Sequence, residues 1–344
     1  MILHFIPNHP HALAFVKNAK KFFTHEYHII SIVNPPTTAI DYTAELNHLT
    51  ANTNFARNFV MEDVSSIVLH SLFFNKEFLV RVFGYRDKYD LKLIWGTWGG
   101  DYLRLAKIGK FVEMADRFDA LVINRSAFME LQFPKRASID NDIKFYLDVV
   151  NGIPLPRKEK KKRVMLGNSG DSSNNHAEIL DKLDIAGFYE ILIPLGYNAT
   201  NEYVTNLKGF IKQKFKNFDR FTFLNDMIQP DQYSEILRTI DLLILAQDRQ
   251  QGINTARQVY FNGGTVILKK IIESAFNRGE FLINPGWVAL NETGCHNVLD
   301  FNSLTSISSS CIVEGNPSVH GFYNDATMKF FYRVFENRWL GSKN

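Results

Sequence analysis

Several places in the sequence put glycine and hydrogen-bonding side chains directly behind an apolar run, as a binding loop at the end of a buried strand would. In DLLILAQDRQQGINT, residues 241–255, the run stops at Asp248, Arg249, Gln250 and Gln251, and Gly252, Ile253, Asn254 and Thr255 open a new amphipathic segment. A helix starting there turns free backbone N–H groups and a partial positive charge toward an anion, which suits a diphosphate. A solvated turn with an ordinary N-cap accounts for Gly252 or Thr255 and leaves Arg249 and both glutamines without a reason. In MLGNSGDSSNNHAEIL, 165–180, Gly167 and Gly170 permit positive φ or close backbone approach, and Asn168, Ser169, Asp171 and Ser172 add polar groups. A tight turn whose Asp or Ser caps the next helix explains the same residues equally well. The loop has neither GxGxxG nor the Lys-Ser/Thr end of a triphosphate loop.

Two further clusters follow the same logic. In IPLGYNATNEYV, 193–204, Gly196 and Tyr197 end an apolar run, and Asn201 and Glu202 open a helix. Tyr197 could stack on a base or sugar, or be a rim residue; Glu202 could contact ligand, or pair with the helix dipole. Nearer the N-terminus, His70 ends IVLH and Asp101 follows LIWGTWGG. Both are candidates to exchange a proton with substrate, with a satisfied buried imidazole and a helix N-cap as the structural alternatives.

The elements that must position these residues alternate in type. Apolar runs at 2–6, 27–33, 66–70, 92–95 and 120–124 are interleaved with helical patterns, beginning with a helix near 11–23. The runs are apolar throughout, as parallel strands covered on both faces are. NGIPLPRKEKKKR, 151–163, interrupts the rhythm with two prolines and a basic run. The rhythm then resumes with strands at 163–168, 190–195, 219–224, 241–246 and 265–269, and helices from about 174, near 200–215, at 230–239 and from about 252. The expected organisation is an α/β Rossmann-like domain over 1–150, a linker at 151–162, a second such domain over 163–320, and a closing helix over 321–344 able to pack back on the first. A length of 344 residues favours two cores over one.

Bulk properties exclude several functions. A net charge of +3 is too mild to argue for nucleic acid, and no basic residues alternate with aromatics as in RNA-binding sheets. Cys295 and Cys311 form no CxxC or zinc-type spacing, which predicts a reducing compartment and no metal site. The opening MILHFIPNHP has His4 and Pro7 in its apolar stretch and reads as strand and loop rather than a signal peptide. No run approaches the roughly 20 apolar residues of a membrane span. The basic linker is a solvated connector or a contact for an anionic membrane surface, where each Lys or Arg adds about 1 kcal/mol.

Taken together, GNSGDSSNNH at 167–176, IPLGYNATNEYV at 193–204 and DRQQGINT at 248–255 resemble the motifs of the TDP-N-acetylfucosamine:lipid II N-acetylfucosaminyltransferases, glycosyltransferase family 56. A weaker N-terminal likeness covers Trp98, Gly99 and Asp101, with His70, Phe74 and Asn75. The sequence departs from the family at Asn254, where a glycine is usual, and at Arg257, which replaces an apolar residue. The resemblance implies a GT-B architecture, two Rossmann-like doubly wound domains facing a cleft, with acceptor in the first and nucleotide-sugar in the second. It implies transfer of an N-acetylfucosamine-like sugar from a dTDP donor to a polyprenyl-diphosphate-linked saccharide in bacterial surface-polysaccharide synthesis of the common-antigen or O-antigen type. The protein would then sit in the cytoplasm, peripheral on the inner membrane.

Such a reaction needs the departing diphosphate stabilised, and without a DxD motif that task falls to Arg249 and the helix start at 252–255. DND at 140–142 reads as a cap in a connector, so no metal and no cofactor are expected. Asp101 is the first candidate base and His70 the second. A GT-B-type nucleotide-sugar epimerase and a non-catalytic nucleotide-sugar-binding protein remain alternatives.

Overall fold

Short runs of β-branched and leucine side chains, buried on both faces, build two parallel sheets. The computed structural model describes residues 1–24, 27–33, 41–50, 58–98, 101, 104–105, 108–122, 138–140, 161–249, 251–274, 279–292, 295–313 and 325–340. The chain divides into two compact units, Met1–Val149 with Tyr323–Asn344, and Val150–Phe322.

In the first unit, β1 (Ile2–Pro7), β2 (His28–Val33), β3 (Ser66–His70), β4 (Lys92–Gly96), β5 (Ala120–Val122) and β6 (Ser138–Asp140) lie in the order β2-β1-β3-β4-β5-β6. All neighbours are parallel. The helices are α1 (Pro10–Phe22), α2 (Thr43–Thr50), α3 (Lys76–Tyr89) and α4 (Phe111–Ala115). α1 has Pro10 at its first position, where the missing N–H costs nothing, and His9 as N-cap accepting from the His11 amide. Asn75 caps α3 by accepting from the Phe78 amide, and Asp90 ends it in the left-handed conformation. Because the chain runs outward from β1 to β2 and then returns to build β3 to β6, the direction of winding switches between β1 and β3. At such a point loops on opposite sides splay apart and leave room for a ligand.

In the second unit, β7 (Arg163–Leu166), β8 (Glu190–Pro194), β9 (Phe221–Leu224), β10 (Leu242–Leu245), β11 (Thr265–Leu268) and β14 (Leu299–Asp300) form a sheet of order β14-β11-β10-β7-β8-β9. Its neighbours are again all parallel. A separate antiparallel hairpin joins β12 (Ile271–Glu273) to β13 (Phe281–Ile283). The helices are α5 (His176–Lys182), α6 (Asn201–Lys214), α7 (Pro230–Leu237), α8 (Ile253–Phe261) and α9 (Pro285–Glu292). Here the winding switches between β7 and β10, beside the two loops in which the sequence concentrates glycine and polarity.

One further helix, α10 (Asp325–Trp339), belongs to the first unit. It buries Tyr332 and Phe335 in a core shared with Phe15, Val16, Ala19 and Phe22 of α1. The second unit has a core on each face of its sheet, one around Leu166, Ile179, Ile193 and Ile244, the other around Met165, Leu243, Val259 and Val266.

Two local expectations need correction. Asp140 ends strand β6, paired with Val122, rather than lying in a connector. Pairing with β5 recruits a three-residue stretch too short to announce itself. The hairpin β12–β13 and helix α9 fall where no element was expected, because both strands are only three residues long and half exposed. Residues 151–160 of the expected linker, including most of its basic run, lie outside the described residues.

Candidate active site

The loop after β7 is held open by its own side chains. Gly167 has φ +70, and a Cβ there would meet Asn174 Oδ1 and His176 Nε2, each at 2.7 Å. The buried Asn174 accepts from the Asn168 amide (3.0 Å) and donates to Ser169 Oγ (2.9 Å) and the Asp171 carbonyl (3.0 Å). Gln247, buried just after β10, donates to Asn174 Oδ1 (2.7 Å) and Asn168 Oδ1 (3.0 Å). The two loops at the switch point are thus stitched together by amide side chains.

Onto this base the second loop places its charge. Gln251 donates to Ser169 Oγ (3.1 Å), and its Oε1 accepts from Ser173 Oγ (3.2 Å) and from Arg249 Nε (2.9 Å). Arg249 Nη2 lies 3.5 Å from Asp171 Oδ2. Asp171 also accepts from the Ser173 amide (2.9 Å). Burial works to raise the Asp171 carboxyl, and the Ser173 hydrogen bonds with the Arg249 charge outweigh it and hold the group below its ordinary value. Gly252 has φ +68, and a Cβ on it would meet Asn168 Cγ at 2.9 Å. No side chain caps α8 at this glycine, so its first-turn amides and dipole face the loop junction. Gln250 lies outside the described residues.

The remaining residues expected in this site divide by role. Gly170 is tied to the β8 loop, its amide donating to the Tyr197 carbonyl (2.8 Å) while its bare Cα faces Ala199. Gly196 lets the same loop press against the backbone of Asp226 and Met227. Tyr197 is 40% exposed, enough to leave a ring face for a ligand. Thr200 rather than Asn201 caps α6, so Asn201 and Glu202 are exposed first-turn residues. Thr255 spends its hydroxyl on Tyr233, Ile253 packs over Gly286, and Asn254 is partly exposed in the first turn of α8. Asp248 is committed to Lys269 (2.9 Å) and Asn175 (2.9 Å), and Lys269, 7% exposed, also pairs with Glu178 (2.7 Å).

At the switch point of the first unit, Asp101 is fully buried. Its Oδ2 accepts from the Leu72 amide (3.1 Å) and the Trp95 indole (2.9 Å), and its Oδ1 from the Trp98 amide (3.1 Å). Both oxygens therefore pin the loops that follow β3 and β4. His70 is buried at the end of β3 against Phe15, ring centroids 4.1 Å apart, and burial lowers its pKa to about 3. The next residue, Ser71, has φ 75, an unusual conformation for a side-chain-bearing residue and a mark of backbone strain. Trp98 packs on His9 (4.6 Å) and His11 (5.2 Å). Burial lowers those two histidines to about 2 and about 4, with the His11 charge adding to the effect on His9. Among the described residues no His, Cys, Asp and Glu side chains gather as a metal site would.

Over residues 6–270 the chain matches the family described as 4-alpha-L-fucosyltransferase, glycosyl transferase group 56. The chain belongs to this glycosyltransferase family. Similar solved structures share its GT-B fold. HepE from Anabaena, in complex with UDP and glucose, is 13% identical, with a TM-score of 0.55 over 98% of each chain. A glycosyltransferase from Rickettsia africae is 11% identical, with a TM-score of 0.57 over 100% of this chain and 99% of that one. The lipopolysaccharide outer core galactosyltransferase WaaB is 12% identical, with a TM-score of 0.52 over 98% of both.

In this family 56 glycosyltransferase, the described side chains of the block at 167–176 mostly bond to one another and to neighbouring loops. His176 donates from Nε2 to the Leu166 carbonyl (3.2 Å) and accepts at Nδ1 from the Tyr203 hydroxyl (2.8 Å), in the tautomer that satisfies both contacts. Burial lowers it to about 4, against the opposing pull of the Leu166 hydrogen bond. Reading loops strand by strand missed Asn174, Gln247 and Lys269, which support the loop junction from below, and His9 and His11, which follow β1. The signal was present, since PNHPH and Lys269 also directly follow apolar runs.

Proposed function

We propose that this glycosyltransferase moves an N-acetylfucosamine-like deoxyamino sugar from a dTDP donor to a polyprenyl-diphosphate-linked saccharide in bacterial surface-polysaccharide synthesis. The observation that carries the donor half is the junction at the β7/β10 switch point. There Arg249 is oriented by Gln251 and Asp171 beside the uncapped start of α8. A guanidinium and a helix dipole together neutralise a departing diphosphate without a metal ion, and the reaction is proposed to be metal-independent. Tyr197 supplies an exposed ring for the base or sugar.

In the first unit the base role fits His70 better than Asp101, whose oxygens already accept three hydrogen bonds. Asp101 is then a positioning residue that fixes the loops around the acceptor. No helix among the described residues is long and apolar enough to cross a membrane, and a lipid-linked acceptor would be met by peripheral contact on the cytoplasmic face. The test is calorimetry with dTDP, UDP and GDP, followed by transfer assays with a dTDP-sugar and a polyprenyl-linked acceptor. Preferential dTDP binding and acceptor-dependent turnover are expected. Equal binding of all three nucleotides would overturn the donor assignment, and sugar conversion without acceptor would replace transfer by epimerisation.

A further inference from the structure

One flank of the second unit gathers more positive charge than the whole chain carries. Residues 208–220, the second half of α6 and the turn into β9, hold Lys208, Lys212, Lys214, Lys216 and Arg220 against the single acid Asp219, and Lys161, Lys162 and Arg163 lead into β7. Asp181 pairs with Lys214, and Glu190 with Arg163 (2.9 Å). With both of these carboxylates set against the cations, the local excess still stands above the net +3 of the chain. The two basic groups meet across a cavity of about 800 Å³ whose wall includes Lys161, Arg163, Tyr189, Asp219, Arg220 and Thr222. Among the described strands β9 ends the sheet on this side, so the surface faces outward.

Aromatic rings lie under the cations. Lys208 Nζ is 4.8 Å from the centre of the Phe223 ring, Lys212 Nζ 5.0 Å from that of Phe218, and Lys214 Nζ 5.5 Å from Phe210 and 5.9 Å from Phe215. At the other end Lys161 (5.8 Å) and Arg163 (6.0 Å) lie over Tyr189, which is 61% exposed. The four phenylalanines are partly buried against the core that holds Leu207, Ile211 and Phe221. Each ammonium is thus set over apolar surface while remaining at the solvent boundary. Such a surface offers cations to lipid headgroups and, through Tyr189, an amphipathic ring to the layer beneath them. A single-stranded nucleic acid would need open ring faces on which to stack its bases, and on the phenylalanines the lysines occupy those faces.

We propose that this flank of the second unit, the outer side of α6 and β9 with the starts of β7 and β8, docks on an anionic bilayer. The proposal deepens the reading of a lipid-linked acceptor, on which it rests, by naming the surface that meets the membrane. Each Lys or Arg brought to anionic lipid strengthens binding about fivefold, so a cluster of several gives stable yet reversible attachment. β8 and β9 run side by side in parallel from the Tyr189 end of the flank, and β8 ends at the loop that carries Gly196 and Tyr197. The strands therefore lie along the bilayer. The proposed donor junction opens at the end of the contact rather than beneath it, where a saccharide standing on a lipid diphosphate can approach.

The experiment is flotation of the full-length protein with phosphatidylcholine vesicles containing about one-third phosphatidylglycerol, beside pure phosphatidylcholine vesicles and a single-stranded polynucleotide. Wild type is expected to float with the anionic vesicles, to stay behind with the neutral ones, and to be released at about 0.5 M salt. Lys212→Glu with Lys216→Glu should weaken binding to anionic vesicles about tenfold or more, and Lys212→Gln with Lys216→Gln should fall between that pair and wild type. Tyr189→Ala should weaken it about threefold. The matched reversal Lys76→Glu with Lys110→Glu, at exposed lysines of the first unit, should have little effect. Equal losses from the two reversals, equal flotation with neutral vesicles, or no flotation at all would overturn the proposal. Binding to the polynucleotide as tight as to anionic vesicles would overturn it as well, by making the flank a general polyanion surface. Neither donor nor acceptor enters the flotation assay, so its failure leaves the dTDP assignment standing, and a failed transfer assay leaves the membrane contact to be judged by flotation.

Discussion

Removing Arg249 probes the donor site most directly. Its guanidinium is held at two points, by Gln251 on Nε at 2.9 Å and by Asp171 near Nη2 at 3.5 Å, and its side chain is 24% exposed. A charge-assisted hydrogen bond contributes about 1.5–3 kcal/mol, and partial solvent access puts this one at the lower end, about 1.5–2 kcal/mol. Arg249→Ala should therefore weaken dTDP binding about ten- to thirtyfold by titration calorimetry. It also leaves the Asp171 carboxylate uncompensated beside an incoming anion. Asp171→Asn keeps an oxygen for the Ser173 amide, so in the Arg249→Ala background it should recover part of the lost affinity, and alone it should tighten dTDP a few-fold. Arg249→Lys keeps a point charge without the fork and should fall between wild type and alanine. An alanine variant that binds dTDP as tightly as wild type would refute the reasoning, because Lys269, the other cation described at these loops, is already paired with Glu178 and Asp248.

Three other outcomes follow from the geometry. Gly167→Ala introduces strain at φ +70 and a collision with Asn174 and His176; urea unfolding should show a loss of about 1–3 kcal/mol, and unchanged stability would contradict the loop geometry. Asp101→Asn can keep an oxygen for the Trp95 indole and the Leu72 amide but must then turn its NH₂ toward the Trp98 amide, a donor that Oδ1 now satisfies; a loss of about 1–3 kcal/mol is expected, and full stability with abolished turnover would restore Asp101 as the base. Stability should also fall in acid: His9, His11, His70 and His176 have folded-state values of about 2, 4, 3 and 4, below the ordinary 6.5. The unfolded chain then takes up protons first, so each contribution is intact above about pH 6.5 and erodes below it by about 1.4 kcal/mol per pH unit until the folded value is reached. A denaturation free energy that stays flat from pH 7 to pH 5 would refute this.

The sheets were legible because parallel strands covered on both faces must be apolar throughout, and LLIL at β10 and IVL within β3 advertise that. The polar loops after β7 and β10 were legible as loops because glycine at 167 and 252 and a crowd of amides have no use in a buried strand. Partners were not legible. Asp101 has the look of a catalytic carboxylate in one dimension, and only the folded chain shows the three donors around it. The contact between His28 and Glu336 was invisible for the opposite reason, since His28 looks like an isolated strand residue and Glu336 stands 308 positions from it. β6 and the β12–β13 hairpin exist through pairing rather than through any pattern of their own.

The placement of α10 in the first unit has a consequence for biosynthesis. A ribosome releases the strands of that unit first and the helix that completes its core last, after the whole of the second unit has been made. At about 5–20 residues per second, roughly ten to thirty-five seconds separate the two events. Through that interval the nascent sheet holds His28 without Glu336 and a core lacking Tyr332 and Phe335. The second unit, encoded by one continuous stretch, can fold before the first one closes. A half-made chain can therefore complete the junction of the β7 and β10 loops, the proposed donor site, before the core of the first unit closes.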